Sequence, residues 1–187
     1  NPSTVKAVPE NTKFALRLSI GEEWDTNVGR TLSISNQEAQ GDRLTRLVSA
    51  AHLHHQINRK NHILGSYILG AKRFSESENE DVIVQNLSLG TRHFFGSNFR
   101  IEANGRYRQS RMRSLVRDYS LARADVKLGW RAKQGADYWL SSGLSRFIFP
   151  LEDRLNYSGP FVAAGVSGKL DKHLHWNIQA NLEQQSF

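Results

Sequence analysis

Cysteine is absent from the 187 residues, so neither a disulfide framework nor a thiolate metal site is available. Long hydrophobic runs are missing too, and no window approaches the roughly 18 continuous apolar residues that a transmembrane helix needs. Hydrophobic residues make up 39% of the chain and mean hydropathy is -0.54. These absences exclude helical membrane spans but leave barrels open, because only alternate residues of a barrel strand face lipid. No Walker loop or dinucleotide glycine fingerprint is present. Acid is the scarcer charge, with 18 Asp+Glu against 25 Lys+Arg and a sequence pI near 9.9. A basic excess points to an anionic partner: nucleic acid, anionic lipid or an anionic solute.

What the chain does have is period-2 alternation from about Lys13 onward, with no sustained helical period. In the segment 99–108, Phe99, Ile101, Ala103, Gly105 and Tyr107 alternate with Arg100, Glu102, Asn104, Arg106 and Arg108. A helix would spread those charges around its circumference, whereas a strand separates them. The same device recurs where Ala122, Ala124, Val126, Leu128 and Trp130 alternate with Arg123, Asp125, Lys127 and Arg131. It recurs again over 174–183 and over 14–20, and more weakly over 43–57, 62–74, 81–95, 137–149 and 160–170. These strands exceed the usual length of about 5–6 residues and reach the roughly 9–11 that a tilted strand needs to cross a bilayer.

The connections alternate in length. Short turns fall at Asn58–Asn61, Gly96–Asn98, Lys133–Gly135 and Leu170–His173; longer polar stretches are Glu22–Asp42, Ser75–Asp81, Ser110–Asp118 and Pro150–Gly159. Arg30–Ser35 has room for a short strand of its own. Tight turns at one end and long loops at the other suit a barrel that crosses a membrane. Aromatics gather at the strand ends. Phe95, Phe99, Trp130, Trp139 and Trp176 stand beside the short turns, and Tyr107, Phe147 and Phe149 beside the long loops. Read together, these residues form two membrane-interface girdles. The expected fold is therefore all-β: an antiparallel up-and-down transmembrane β-barrel of about 8–10 strands. Residues 1–12 read as a periplasmic N-terminal extension and 13–187 as the barrel domain.

The stretch Glu23-Trp24-Asp25-Thr26-Asn27-Val28, the Arg-rich later strands and Arg117-Asp118-Tyr119 carry a family likeness. On these residues the chain resembles bacterial outer-membrane β-barrel proteins, especially porin-like barrels that often follow a periplasmic tetratricopeptide module. The resemblance implies an outer-membrane location, contact with the lipid bilayer and lipopolysaccharide, and a role as a pore, an export barrel or an anchor of envelope-complex subunits. No tetratricopeptide repeat precedes the strands, so the export role of such fusions does not transfer directly. Phe187 matches the customary terminal aromatic, yet it is out of phase with Trp176–Leu182, and Gln185 and Glu183 stand where nonpolar residues are usual.

If the apolar partners face lipid, then Arg100, Arg106, Arg108, Arg123, Lys127 and Arg131, with Glu102 and Asp125 as counter-charges, line the lumen and contact anions there. A lipid-facing Arg or Lys at mid-membrane would cost roughly 2–4 kcal/mol. Such a lumen is either filled by salt-bridged side chains or open as an electropositive channel. His52, His54, His55 and His62 lack the third or fourth ligand that a metal site needs, so no metal or other cofactor is expected. Ser141, Ser142 and Ser145 with His173, His175 and Glu183 supply the residue types of a lipid hydrolase but no nucleophile elbow, so catalysis is not expected. Nucleic acid is disfavoured because the Arg rows alternate with aliphatic residues instead of stacking aromatics. Cysteine substitutions through 99–108 provide a direct check: odd positions should report lipid and even positions water to a charged thiol reagent. Uniform water exposure would remove the membrane assignment.

Overall fold

The computed structural model describes residues 11–26, 41–113, 118–132, 135–169 and 175–186. Nine strands follow one another: β1 (Thr12–Asp25), β2 (Asp42–Gln56), β3 (Asn61–Phe74), β4 (Val82–Phe95), β5 (Phe99–Met112), β6 (Tyr119–Arg131), β7 (Asp137–Ile148), β8 (Tyr157–Lys169) and β9 (His175–Glu183). They make one antiparallel up-and-down sheet in sequence order, and β1 and β9 remain its two edges. Two single-turn 3-10 helices, Glu78–Glu80 and Asp153–Leu155, sit in connections. No helix among the described residues is long and apolar enough to cross a membrane. The strand count among the described residues and the all-β class agree with the alternation, and β1 and β5 run longer than it indicates, to Asp25 and Met112. The possible strand at 30–35 lies outside the described residues, as do residues 1–10 and Phe187.

Five of the connections have a local cause among the described residues. Asn58 Oδ1 accepts from the backbone N–H groups of Lys60 and Asn61, an Asx turn that reverses the chain between β2 and β3. Gly96 adopts φ 67° between β4 and β5, the left-handed conformation that only glycine enters without strain. At the opposite end Asp81 Oδ1 accepts from Phe74 N, Asp118 Oδ1 from Met112 N and Asn156 Oδ1 from Phe149 N. Three long connections thus return the same way, a side-chain oxygen just before the next strand capping the end of the previous one. The antiparallel order puts all four long connections at one end of the sheet and all four short ones at the other.

Register sorts the side chains into two faces, because directly paired residues point to the same side. One face carries Phe14, Leu16, Leu18, Ile20, Leu53, Tyr67, Leu87, Leu89, Phe99, Val126, Leu128, Trp130, Leu140, Leu144, Val162, Ile178 and Leu182, all exposed. The buried strand residues lie on the other face, and many are polar: Asp42, Glu102, Ser110, Ser141 and Ser145 beside Leu44, Ala50, Phe74, Phe161 and Ala163. A water-soluble sheet distributes its residues the opposite way. Every one of the nine strands contributes to the exposed apolar face.

The polar face is concave. Arg123 Nη2 on β6 lies 3.4 Å from Asn181 Oδ1 on β9, although strands three apart in a flat sheet are separated by roughly 14 Å. Asp25 of β1 and Phe147 of β7 line the same cavity of about 760 Å³ at the long-loop end. Close backbone approach accompanies the bend at Gly143, where a Cβ would run into the backbone carbonyl of Ala124 and lie 2.8 Å from Asp125 Cα. Backbone cannot yield as a side chain tip can, so Gly143→Val should destabilise the sheet by about 1–3 kcal/mol. Denaturant unfolding in detergent micelles would measure this, and an unchanged midpoint would contradict the close approach.

Candidate functional site

The site is built on the concave face of β4 to β7. Cross-strand pairing joins Arg92 to Glu102, Glu102 to Lys127, Arg106 to Arg123 and Arg131 to Asp137. Consequently Arg100, Glu102, Arg106, Arg108, Arg123, Asp125, Lys127 and Arg131 all share one face. The alternation over 99–108 and 121–131 located every one of them. It missed Arg92 and Asp137, whose own segments alternate weakly and whose importance depends on what stands opposite.

Two kinds of environment divide the face. Toward the short turns Arg92 and Arg100 are neutralised, whereas Lys127 and Arg131 have no carboxylate in salt-bridge range among the described residues. Glu102 is 6% exposed and accepts from Arg92 Nε at 3.0 Å and from Arg100 Nε at 2.8 Å. Arg100 also forks onto Asp137, with Nη1–Oδ1 2.7 Å and Nη2–Oδ2 3.0 Å, the bidentate geometry that suits a guanidinium best. Reaching Asp137 on β7 from β5 requires crossing β6, and Arg100 passes directly over Gly129. A Cβ there would lie 2.7 Å from the Arg100 Cζ. Beside it Lys127 Nζ stands 4.5 Å from the Trp139 ring centroid, and Trp139 in turn lies over Gly165. Small residues on alternate strands let long side chains lie along the wall.

Toward the middle of the sheet the pattern reverses. Arg106 and Arg123 are directly opposed, an arrangement of like charges that destabilises a strand pair. Asp125 sits next along β6, but its carboxylate accepts from Asn104 Nδ2 at 3.1 Å, and neither Arg106 nor Arg123 has a carboxylate in salt-bridge range among the described residues. Arg123 lies over the Phe161 ring, 3.3 Å from its centroid, and Arg108 stands 5.7 Å from the Tyr119 centroid. Aromatic faces hold both guanidiniums without cancelling their charge. The geometry leaves a row of three arginines on a concave wall able to receive an anion.

The aromatic assignments divide. Phe95, Phe99, Trp130 and Trp176 are on the apolar face beside the short turns, and Phe99, Trp130 and Tyr138 stack in succession with centroids 6.3 and 5.3 Å apart. Tyr107 is on that face as well. Trp139, Phe147 and Phe149 are not part of an exterior girdle. Register puts Trp139 opposite Gly129 and Phe147 opposite Leu121 and Tyr157, on the concave face. Phe149 packs against Phe147 and Tyr119 there, with centroids 4.8 and 6.4 Å apart. Nearness to a strand end places a residue at the right height, but parity decides its side. In 137–149 serine and glycine occupy several positions of both faces, so the segment's own pattern does not set the parity.

The histidines split similarly. His54 Nε2 and His62 Nδ1 are 2.9 Å apart on the concave face, whereas His55 pairs with Thr12 on the other. Among the described residues no group of three or more His, Asp or Glu is placed to hold a metal ion. Ser145 Oγ donates to Glu183, but His175 is at the opposite end of β9 from Glu183, so His175 does not join that pair; His173 lies outside the described residues. Compared with protein-family models, with curated proteins and with solved structures, the chain matches none.

The two environments should respond oppositely to mutation. Glu102→Gln leaves Arg92 and Arg100 without their shared carboxylate and should cost about 2 kcal/mol of stability. Arg106→Ala removes a like-charge opposition and should leave stability within about 0.5 kcal/mol of the parent or slightly above it. Paired unfolding curves in the same detergent would decide. A large loss from Arg106→Ala would mean that this residue is part of the structural network.

Proposed function

We propose that the sheet is the wall of a bacterial outer-membrane β-barrel, pore-like or export-associated, whose arginine-lined interior handles anionic solutes or polymers. Membrane residence is supported by the inverted partition of side chains: an exposed apolar face contributed by all nine strands and a polar concave face. Soluble monomers rarely expose contiguous apolar patches beyond a few hundred Å², and lipid removes that penalty. On β5 the ten steps from Phe99 to Gln109 cover roughly 33 Å along the strand. At a tilt of about 40° this is roughly 25 Å along the bilayer normal, the height of the apolar band in such barrels.

Charge on the apolar face gives the direction of insertion. Within the described strands its Lys, Arg, Asp and Glu residues are Glu22, Arg43, Arg73, Arg111 and Arg146, all toward the long-loop end. The short-turn end carries the stacked aromatics and none of these charges. A belt rich in arginine suits the phosphates of lipopolysaccharide, so the long loops face outward.

Anion handling rests on the opposed Arg106 and Arg123. The second reading is a non-conducting barrel that anchors an envelope complex, and the Arg92–Glu102–Arg100–Asp137 network favours it by filling the short-turn end with paired charge. In both readings the chain is not an enzyme. Conductance in planar bilayers separates the two: the first requires channels that prefer anions, a preference reduced or reversed by Arg106→Glu with Arg108→Glu. Absence of channels, or a preference for cations in the parent, would overturn it.

A further inference from the structure

The number nine carries a topological consequence. Strands in an up-and-down sheet alternate in direction, so odd-numbered strands all run from the short-turn end to the long-loop end. Both edges, β1 and β9, therefore run the same way. Brought together they would form a parallel seam in an otherwise antiparallel wall, whereas bacterial barrels of one chain close with an even number. A second copy cannot repair this. Any rotation about the membrane normal leaves strand direction unchanged, so the seam between copies inserted the same way would still be parallel.

We propose that the wall is completed by an odd number of further strands, at least one, seated between β9 and β1 and supplied by polypeptide flanking the sheet. The inference rests on the barrel reading and deepens it. Chain entering Thr12 arrives at the short-turn end, and chain leaving Glu183 departs at the long-loop end. A strand on either flank consequently descends, antiparallel to its edge, without a crossover.

Side chains along the open edges state what the descending strand must offer. Phe14, Leu16, Leu18 and Ile20 on β1 and Ile178 and Leu182 on β9 are 58% to 78% exposed, so its outward residues are apolar. Lys13 and Arg17 on the concave side of β1 have no carboxylate in salt-bridge range among the described residues, so acidic or hydroxyl residues suit its inward positions. Among the described residues no strand pairs with the outer edge of β1 or β9, and each unpaired N–H or C=O in lipid costs several kcal/mol. One strand of about nine residues would satisfy β9 along its length.

Cysteine pairs across the seam test this in the full natural polypeptide reconstituted in lipid. With one strand interposed the edges are roughly 10 Å apart, beyond the roughly 7 Å that a disulfide tolerates between Cα atoms. Arg17→Cys, Ser19→Cys or Gly21→Cys combined with Gln179→Cys or Asn181→Cys should therefore stay reduced under mild oxidation. The control pair Ala163→Cys with Asn181→Cys, adjacent in register, should close. Amide exchange gives the positive readout: edge-side amides of β1 should exchange as slowly as those of β4 and β5. A disulfide across the seam at any tested register would show β1 beside β9 and overturn the proposal while leaving a membrane barrel intact. Rapid exchange along β1 would show a bare edge and overturn it too. Loss of the barrel reading itself would appear separately, as water exposure of odd positions in 99–108.

Discussion

Everything in this protein depends on the register of one backbone ladder. Because side chains alternate strictly along a strand, a slip of one residue between two neighbours would transfer the concave-face charges of one strand to the apolar face. The ladder leaves little room for such a slip. Matched faces hold each pair of adjacent strands, and side-chain caps or tight turns fix the ends at Asn58, Asp81, Gly96, Asp118 and Asn156. Glu102 illustrates the coupling. Its burial among Arg92, Arg100 and the polar wall makes sense only when Arg92, Glu102 and Lys127 stand in one row.

Curvature follows from where bulk is and is not placed. On the concave side Gly129 and Gly165 lie beneath long side chains, Arg100 across β6 and Trp139 across β8, and Gly143 lets the backbone of Ala124 and Asp125 approach. On the apolar side the residues stand outward and are not crowded. A wall with small residues beneath long polar ones bends toward the polar side, and the bend brings Arg123 within reach of Asn181 and Ser145 within reach of Glu183. The same bend concentrates positive charge. Arginines on a flat sheet would each be hydrated separately, whereas those on a concave wall share one low-dielectric space and reinforce each other's field.

The charged wall is therefore divided by its partners. Glu102 and Asp137 neutralise Arg92 and Arg100, which makes that end a structural clasp. Arg108 and Arg123 are held by rings, Arg123 also by Asn181, and none of Arg106, Arg108 and Arg123 has a carboxylate in salt-bridge range among the described residues, which leaves their charge available. A residue list from sequence gives all of these the same standing. Distance and opposition give them different ones, and the alternative functions of pore and anchor correspond to which part of the wall dominates.

The alternation in 99–108 and 121–131 is sufficient to identify strands, to put eight charged residues on one face and to place Phe99 and Trp130 on the other, as that in 174–183 places Trp176, because period 2 is a local property of extended backbone. The alternation in connection length likewise foretold that long loops share an end. Three matters were decided only in the folded sheet. Trp139, Phe147 and Phe149 point inward, since parity in a segment of small residues is fixed by the neighbours they pair with and not by their own sequence. Arg92 matters because it meets Glu102 from the neighbouring strand, and Asp137 because Arg100 reaches it across β6, contacts that no local window contains. And the two edges run the same way, because direction at a seam depends on the number of strands between them, which is a property of the whole sheet.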